Sequence, residues 1–242
     1  MKRSIDRILT THVGSLPRPA DLLDAVRAKE EGKRIDAKTH ASRLRAAVAE
    51  VVRKQIDLGI DIIDDGEYGK PSFVSYVNER LGGFEFDREA RQSPWAGSRE
   101  AKSFPEFYGD GHVAARQNHM VCTAPITYRG MAQLKTDIDN LKAALDGAKP
   151  QEAFMPAISP TSAADWQRNG YYKTEEEYLF AIADALREEY EAIVKAGLLL
   201  QVDDPHLVTY WIKETDLTLE QFRKWAQLRV EALNHALRNI PP

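Results

Sequence analysis

The sequence predicts an α/β fold of the TIM (β/α)8-type barrel, truncated after about five βα units. Three observations carry that expectation. Short apolar runs alternate with long amphipathic helices along most of the chain. Two of those runs end in paired acids, Asp61-Ile62-Ile63-Asp64-Asp65-Gly66-Glu67 and Leu198-Leu199-Leu200-Gln201-Val202-Asp203-Asp204-Pro205, and in parallel sheets ligands bind at such strand ends. Finally, the runs near Leu9 and Leu198 lie four repeats apart, about 47 residues each, so eight units would need roughly 370 to 380 residues. The 242-residue chain has room for about five of them.

The expected strands are residues 8–13, 60–64, 118–123, 153–158 and 198–202, each apolar enough to be covered on both faces. The helices between them are well signalled. Thr39 is expected to cap a helix carrying Leu44, Val48, Val51, Val52 and Leu58 before Gly59 stops it. Thr174 with Glu177, and Thr218 with Gln221, fit the capping box, in which cap and third residue satisfy each other's amides. The helix after Thr174 runs through Tyr178, Ala181, Ile182, Ala185, Leu186, Ile193 and Val194 to Gly197. The last, 219–238, carries Phe222, Trp225, Val230, Leu233 and Leu237, and so expects a sheet to pack on. Residues 82–112, rich in Gly, Pro and aromatics without strand or helix period, read as a long loop or lid. The whole of 1–242 reads as one barrel domain, incomplete at its C-terminus.

Composition narrows the function. With 33 basic and 37 acidic residues the net charge is −4, which gives no electrostatic case for nucleic acid or an anionic membrane. No apolar run approaches the roughly 20 residues of a membrane span, and Met1 to Arg7 does not lead into a signal-type stretch. The single cysteine, Cys122, forms no internal disulfide and suits a reducing cytoplasm. Small-molecule chemistry is what remains.

Glu67 and the pair Asp203 and Asp204 sit at equivalent strand ends, where two acids could hold an ammonium group or form an acid–base pair. The competing role is a salt bridge or a cap for the next helix. Asp64 and Asp65 are weaker candidates, because successive strand residues face opposite ways. Thr11-His12-Val13-Gly14-Ser15-Leu16-Pro17-Arg18-Pro19 ends the first run in a turn whose amides, hydroxyl and nearby Arg18 could take a carboxylate. A plain structural turn competes with that role, and His12 reads as a satisfied core or loop residue. His119 and Cys122, three apart on a strand, point to opposite faces and make no chelate, so no metal site is expected on this chain and Cys122 reads as a small core residue.

Four motifs in order, Val13-Gly14-Ser15-Leu16-Pro17, Asp64-Asp65-Gly66-Glu67-Tyr68, Ala124-Pro125-Ile126-Thr127 and Gln201-Val202-Asp203-Asp204-Pro205, resemble the catalytic barrel of the cobalamin-independent methionine synthase family. From Tyr171 onward the chain resembles its shorter methionine synthase II-like group, which includes epoxyalkane:coenzyme M transferase. The resemblance implies a zinc-dependent cytoplasmic enzyme, without cobalamin, that transfers a methyl or alkyl group to a small homocysteine-like thiol. It implies that Ser15 binds the acceptor's carboxylate and that Glu67 and Asp203 hold its amino group; it assigns no catalytic residue. The implied zinc ligands lie on strands beyond Pro242, so the chain alone is expected to lack the metal. Where the family's methylfolate-stacking tryptophan stands, this chain has about Met131. The expected partners are the thiol, a methyl or alkyl donor, and either further copies of the chain or a complementing one. Two other readings stay open, a non-catalytic subunit that completes a barrel with a second chain and a metal-free uroporphyrinogen decarboxylase-like enzyme.

Overall fold

The computed structural model describes residues 1–30, 33–87, 97–109 and 120–241. In chain order its elements are α1 (Ala20–Glu30), α2 (Ala37–Asp57), β1 (Ile62–Ile63), α3 (Val77–Arg80), β2 (Leu81–Phe86), α4 (Arg99–Ser103), α5 (Pro105–Gly109) and β3 (Met120–Tyr128). There follow α6 (Met131–Leu145), β4 (Glu152–Ile158), α7 (Pro160–Trp166), β5 (Arg168–Asn169), α8 (Glu175–Lys195), β6 (Leu199–Asp203), α9 (His206–Lys213) and α10 (Leu219–Leu237). They form two compact units: Met1–Tyr76 with Gly130–Ala157 and Glu189–Val202, and Val77–Arg129 with Ile158–Glu188 and Asp203–Pro242.

The first unit carries the sheet ordered β1-β4-β6, in which β1 runs parallel to β4 with Ile62 opposite Glu152 and Ile63 opposite Ala153. Helix α2 lays Leu44, Val48, Val51 and Val52 of the stripe marked in the sequence, together with Ala47, into this unit's core, whereas Leu58, expected in that stripe, is the helix C-cap and lies exposed. Its cap is Asp36, whose carboxylate accepts the Thr39 N–H at 2.7 Å; Thr39 itself lies inside the helix. An ionised cap next to three orphan amides outcompetes a hydroxyl.

The expected first strand does not form a ladder. Residues 8–13 run as extended chain, with Ile8 83% and Val13 78% exposed. Their backbone is tied to the neighbouring segment at Thr10, whose carbonyl accepts from the Asp61 and Ile62 amides, and their side chains at Thr11, whose hydroxyl donates to the Ile62 carbonyl, and at His12, which meets Gln55. The other strands sit within a few residues of their expected places.

In the second unit β3 is antiparallel to β2 and parallel to β5. This corrects the reading of residues 82–112 as lacking strand or helix: 82–86 belong to β2, and α4 and α5 follow, while 88–96 and 110–112 lie outside the described residues. The pattern was hidden by Gly82 and Gly83. At Gly83 (φ +89) the β2–β3 register shifts, and an added Cβ would stand 2.6 Å from the Pro125 carbonyl oxygen. Only glycine permits that approach, and the bulge lies opposite Pro125, which has no N–H to give the ladder. Helix α10 opens with the full Thr218–Gln221 capping box. At α8 the box is shifted by one residue: Thr174 accepts from Glu177 N–H, but Glu177 reaches back to the Lys173 amide. The face of α10 expected to meet a sheet instead stacks Trp225 on Tyr210 of α9, with ring centroids 3.8 Å apart, and the Arg229 guanidinium lies 3.9 Å from the centre of the Trp225 ring.

Candidate functional site

The site is built in the first unit on residues 61–67, which run through β1. Three of its acids meet three different fates. Asp61 takes the Arg7 guanidinium on both carboxylate oxygens and the Thr10 N–H at 2.8 Å. Arg7 first, then the Thr10 amide, hold its carboxyl well below the usual range, so it is a permanently ionised anchor for the N-terminal segment.

Asp64 goes the other way. It is fully buried, and burial first, then the charges of Asp65 and Glu67, push its carboxyl up to about 8. Its Oδ1 accepts the Gly66 N–H at 2.8 Å, whereas Oδ2 is buried without a hydrogen-bond partner. Gln55 of α2 braces it: Oε1 accepts the Asp64 N–H at 3.1 Å, and Nε2 donates to the Asp64 carbonyl at 2.8 Å. Because that fixes Gln55 Oε1 as an acceptor, the 2.8 Å contact from His12 Nε2 to the same oxygen makes Nε2 the protonated nitrogen. The sequence reading of His12 as a satisfied residue is half right, since its Nδ1 is buried with no partner.

Glu67 follows Gly66 (φ +68) and itself adopts a left-handed conformation at φ +56. A non-glycine residue held there costs on the order of 1–3 kcal/mol and persists where its surroundings over-determine it. They do. The Leu16 N–H donates to the Gly66 carbonyl at 3.1 Å, and Tyr68 donates to the Pro17 carbonyl at 2.6 Å, locking the Gly14–Pro17 turn onto the acidic turn. Ser15 Oγ donates to Glu67 Oε1 at 3.2 Å, Lys70 Nζ to Oε2 at 3.0 Å, and Arg18 to the Glu67 carbonyl at 2.8 Å.

Ser15 and Glu67 are therefore brought together. Asp203 lies in the second unit, at the end of β6, where its carbonyl accepts from Ser159 N–H at 3.0 Å. Its neighbour Asp204 turns to the start of α9 and accepts the Leu207 N–H at 3.3 Å, the capping role that competed with a ligand role in the sequence. Burial raises its carboxyl. Lys70 was missed altogether; its signal was the i+3 spacing from Glu67 across a Gly-containing turn. Cys122 is buried with its thiol pushed up by burial, as befits a core residue. His119 lies outside the described residues. Among the described residues no three His, Cys, Asp or Glu side chains are grouped so as to hold a metal ion, so the zinc that the family resemblance implies finds no fitting cage there.

Comparison with known proteins gives the same family as the motifs. Residues 8–236 match the family model described as the catalytic domain of cobalamin-independent synthase. The chain is 25% identical over 241 residues to a methionine synthase of Sulfolobus acidocaldarius, covering 99% of this chain and 60% of that protein. It is 30% identical over 219 residues to a 5-methyltetrahydropteroyltriglutamate–homocysteine methyltransferase of Bacillus licheniformis, covering 90% of this chain and 26% of that protein. Among solved structures it resembles a vitamin-B12-independent methionine synthase from Listeria monocytogenes, with TM-score 0.67 and 19% identity over 97% of this chain and 63% of that one. That likeness establishes the α/β barrel type of fold. The chain spans about 60% of the length of the archaeal relatives it matches. The family match sets aside the decarboxylase-type alternative.

The environment of Asp64 predicts an unusual pH dependence. Its folded pKa lies above its unfolded value, so the native state holds a proton that the unfolded chain has lost, and stability must fall as pH rises from about 4 to about 8. Denaturant unfolding across that window should show the decline in the wild type and a flatter profile in Asp64→Asn, which keeps the Gly66 contact. Parallel profiles would mean that Asp64 is ionised in the native state.

Proposed function

Because the chain belongs to the catalytic-domain family of the cobalamin-independent synthases, we propose that it acts in the transfer of a methyl or alkyl group to the sulfur of a small, homocysteine-like thiol, with Ser15, Glu67 and Asp203 as substrate contacts. The observation that carries the reading is the meeting of Ser15 and Glu67 at 3.2 Å, at the end of a buried strand and on a backbone held in a left-handed turn. Strain retained beside buried charge is a mark of a site organised for a ligand. In this reading the rigid turn orients the acceptor, the sulfur attacks the methyl or alkyl carbon, and the donor leaves with the electron pair of the broken bond and takes up the proton that the thiol gives up. Zinc belongs to the reading as the family's means of making a thiol nucleophilic, and no step here is routed through it. The reaction is placed in the cytoplasm, in keeping with one unpaired, buried cysteine; no described helix is long and apolar enough to cross a membrane.

A complementing chain or further copies of this one also belong to the reading, supported by exposed Ile5, Ile8 and Val13 on the segment beside β1. Sedimentation at several concentrations should report association, and a concentration-independent monomer would remove this part.

The direct test is thioether formation, followed by mass spectrometry, with small thiols, zinc and a panel of methyl and alkyl donors that includes a methyltetrahydropteroyl glutamate. Joined by a complementing chain that supplies the zinc ligands, the wild type should form product, and Glu67→Gln should lower the rate about tenfold to a hundredfold, equivalent to losing a charge-assisted contact of about 1.5–3 kcal/mol. Absence of product with every donor, or full activity in Glu67→Gln, would contradict the proposal.

A further inference from the structure

Lys70 changes what Glu67 can bind. Both oxygens of the Glu67 carboxylate are engaged within the chain, Oε1 by the Ser15 hydroxyl at 3.2 Å and Oε2 by the Lys70 ammonium at 3.0 Å. The pair is buried, with side chains 1% and 5% exposed, so water and salt screen it little. Lys70 is not a loose counter-ion. Its Nζ also donates to the Pro156 carbonyl at 2.6 Å and lies 4.5 Å from the centre of the Tyr76 ring, whose hydroxyl is itself held by Glu189 at 3.0 Å.

A substrate ammonium arriving at Glu67 would meet a fixed ammonium already there. Repulsion at that range, in a site closed to solvent, opposes it.

Arg18 presents the opposite opportunity. Its Nη2 donates to two backbone carbonyls, those of Glu67 at 2.8 Å and Lys70 at 2.7 Å. Its Nε is buried without a hydrogen-bond partner, and burial lowers its pKa by more than the charges of Glu67 and Asp65 raise it. Carbonyl oxygens position a guanidinium but do not neutralise it, so part of its positive charge is left uncompensated beside the Glu67–Lys70 turn.

We infer that Lys70 is a specificity-determining residue that fills Glu67 in place of a substrate ammonium, so that the acceptor is a small thiol carrying an anionic group, met by Arg18, and no α-ammonium. This rests on the thiol-acceptor reading above and narrows it: Glu67 shapes the site through Ser15 and Lys70, which replaces the direct substrate contact proposed for it above.

The test compares thiols that differ by one group, using calorimetry on the full chain at neutral pH with a phosphine reductant: L-homocysteine, 4-mercaptobutanoate, which lacks only the ammonium, and 3-aminopropane-1-thiol, which lacks only the carboxylate. The wild type should bind 4-mercaptobutanoate about tenfold more tightly than homocysteine and the aminothiol least well. In Lys70→Met, which frees Glu67, that preference should shrink by about fivefold or more. Any wild-type preference for 4-mercaptobutanoate below about threefold, or a preference for homocysteine, overturns the inference while leaving the acceptor reading intact. An unchanged preference in folded Lys70→Met overturns the role of Lys70. Failure of all three thiols to bind the wild type overturns both readings. Should Lys70→Met not fold, the wild-type ratio decides by itself.

Discussion

Everything at the end of β1 depends on neutralising Glu67 inside the chain. A carboxylate that is 1% exposed is costly unless it is paired and hydrogen-bonded, and the fold answers from three directions. Ser15 comes from the Gly14–Pro17 turn, Lys70 from one turn further along, and the Pro156 carbonyl of β4 orients the lysine. The left-handed backbone at Glu67 follows from that arrangement, because only such a turn sends the side chain back toward Ser15 while leaving its carbonyl for Arg18. Local strain and ion pairing therefore stabilise one and the same geometry.

The seven-residue segment from Asp61 to Glu67 also shows how environment separates chemically similar groups. Asp61, met by a guanidinium, stays ionised; Asp64, buried against two other acids, holds its proton; Glu67 pairs with Lys70 at 3.0 Å. Protonation of Asp64 has a purpose in this setting, since a third adjacent negative charge would compete for Lys70 and loosen its grip on Glu67. Gln55 enforces the order by fixing both the Asp64 backbone and the His12 tautomer.

Much of this was legible in the sequence. Helical spacing located the buried stripe of α2 and the Thr218–Gln221 cap, and the acid-ended apolar runs located β1 and β6, because those signals depend on neighbours within one turn or one strand. Ser15 and Glu67 were readable as candidate site residues for the same reason, each marking a turn at a strand end, and the structure brings the two together. The misses have long-range or backbone causes. Residues 8–13 have strand composition, but their exposure is decided by what lies beside them. β2 was concealed by Gly82 and Gly83, whose use becomes clear only when Pro125 is seen opposite the bulge. Lys70 went unmarked, because its burial depends on the carbonyl of Pro156, far away in sequence.

The central claim is that Glu67 and Lys70 form one interacting unit, and a double-mutant cycle tests it most directly. Unfolding free energies of the wild type, Glu67→Gln, Lys70→Met and the double variant should give a coupling energy of about 2 kcal/mol or more, with the double variant more stable than the sum of the single losses predicts. Additive losses, with coupling within about 0.5 kcal/mol of zero, would show that the two charges are independent and that Lys70 does not occupy Glu67.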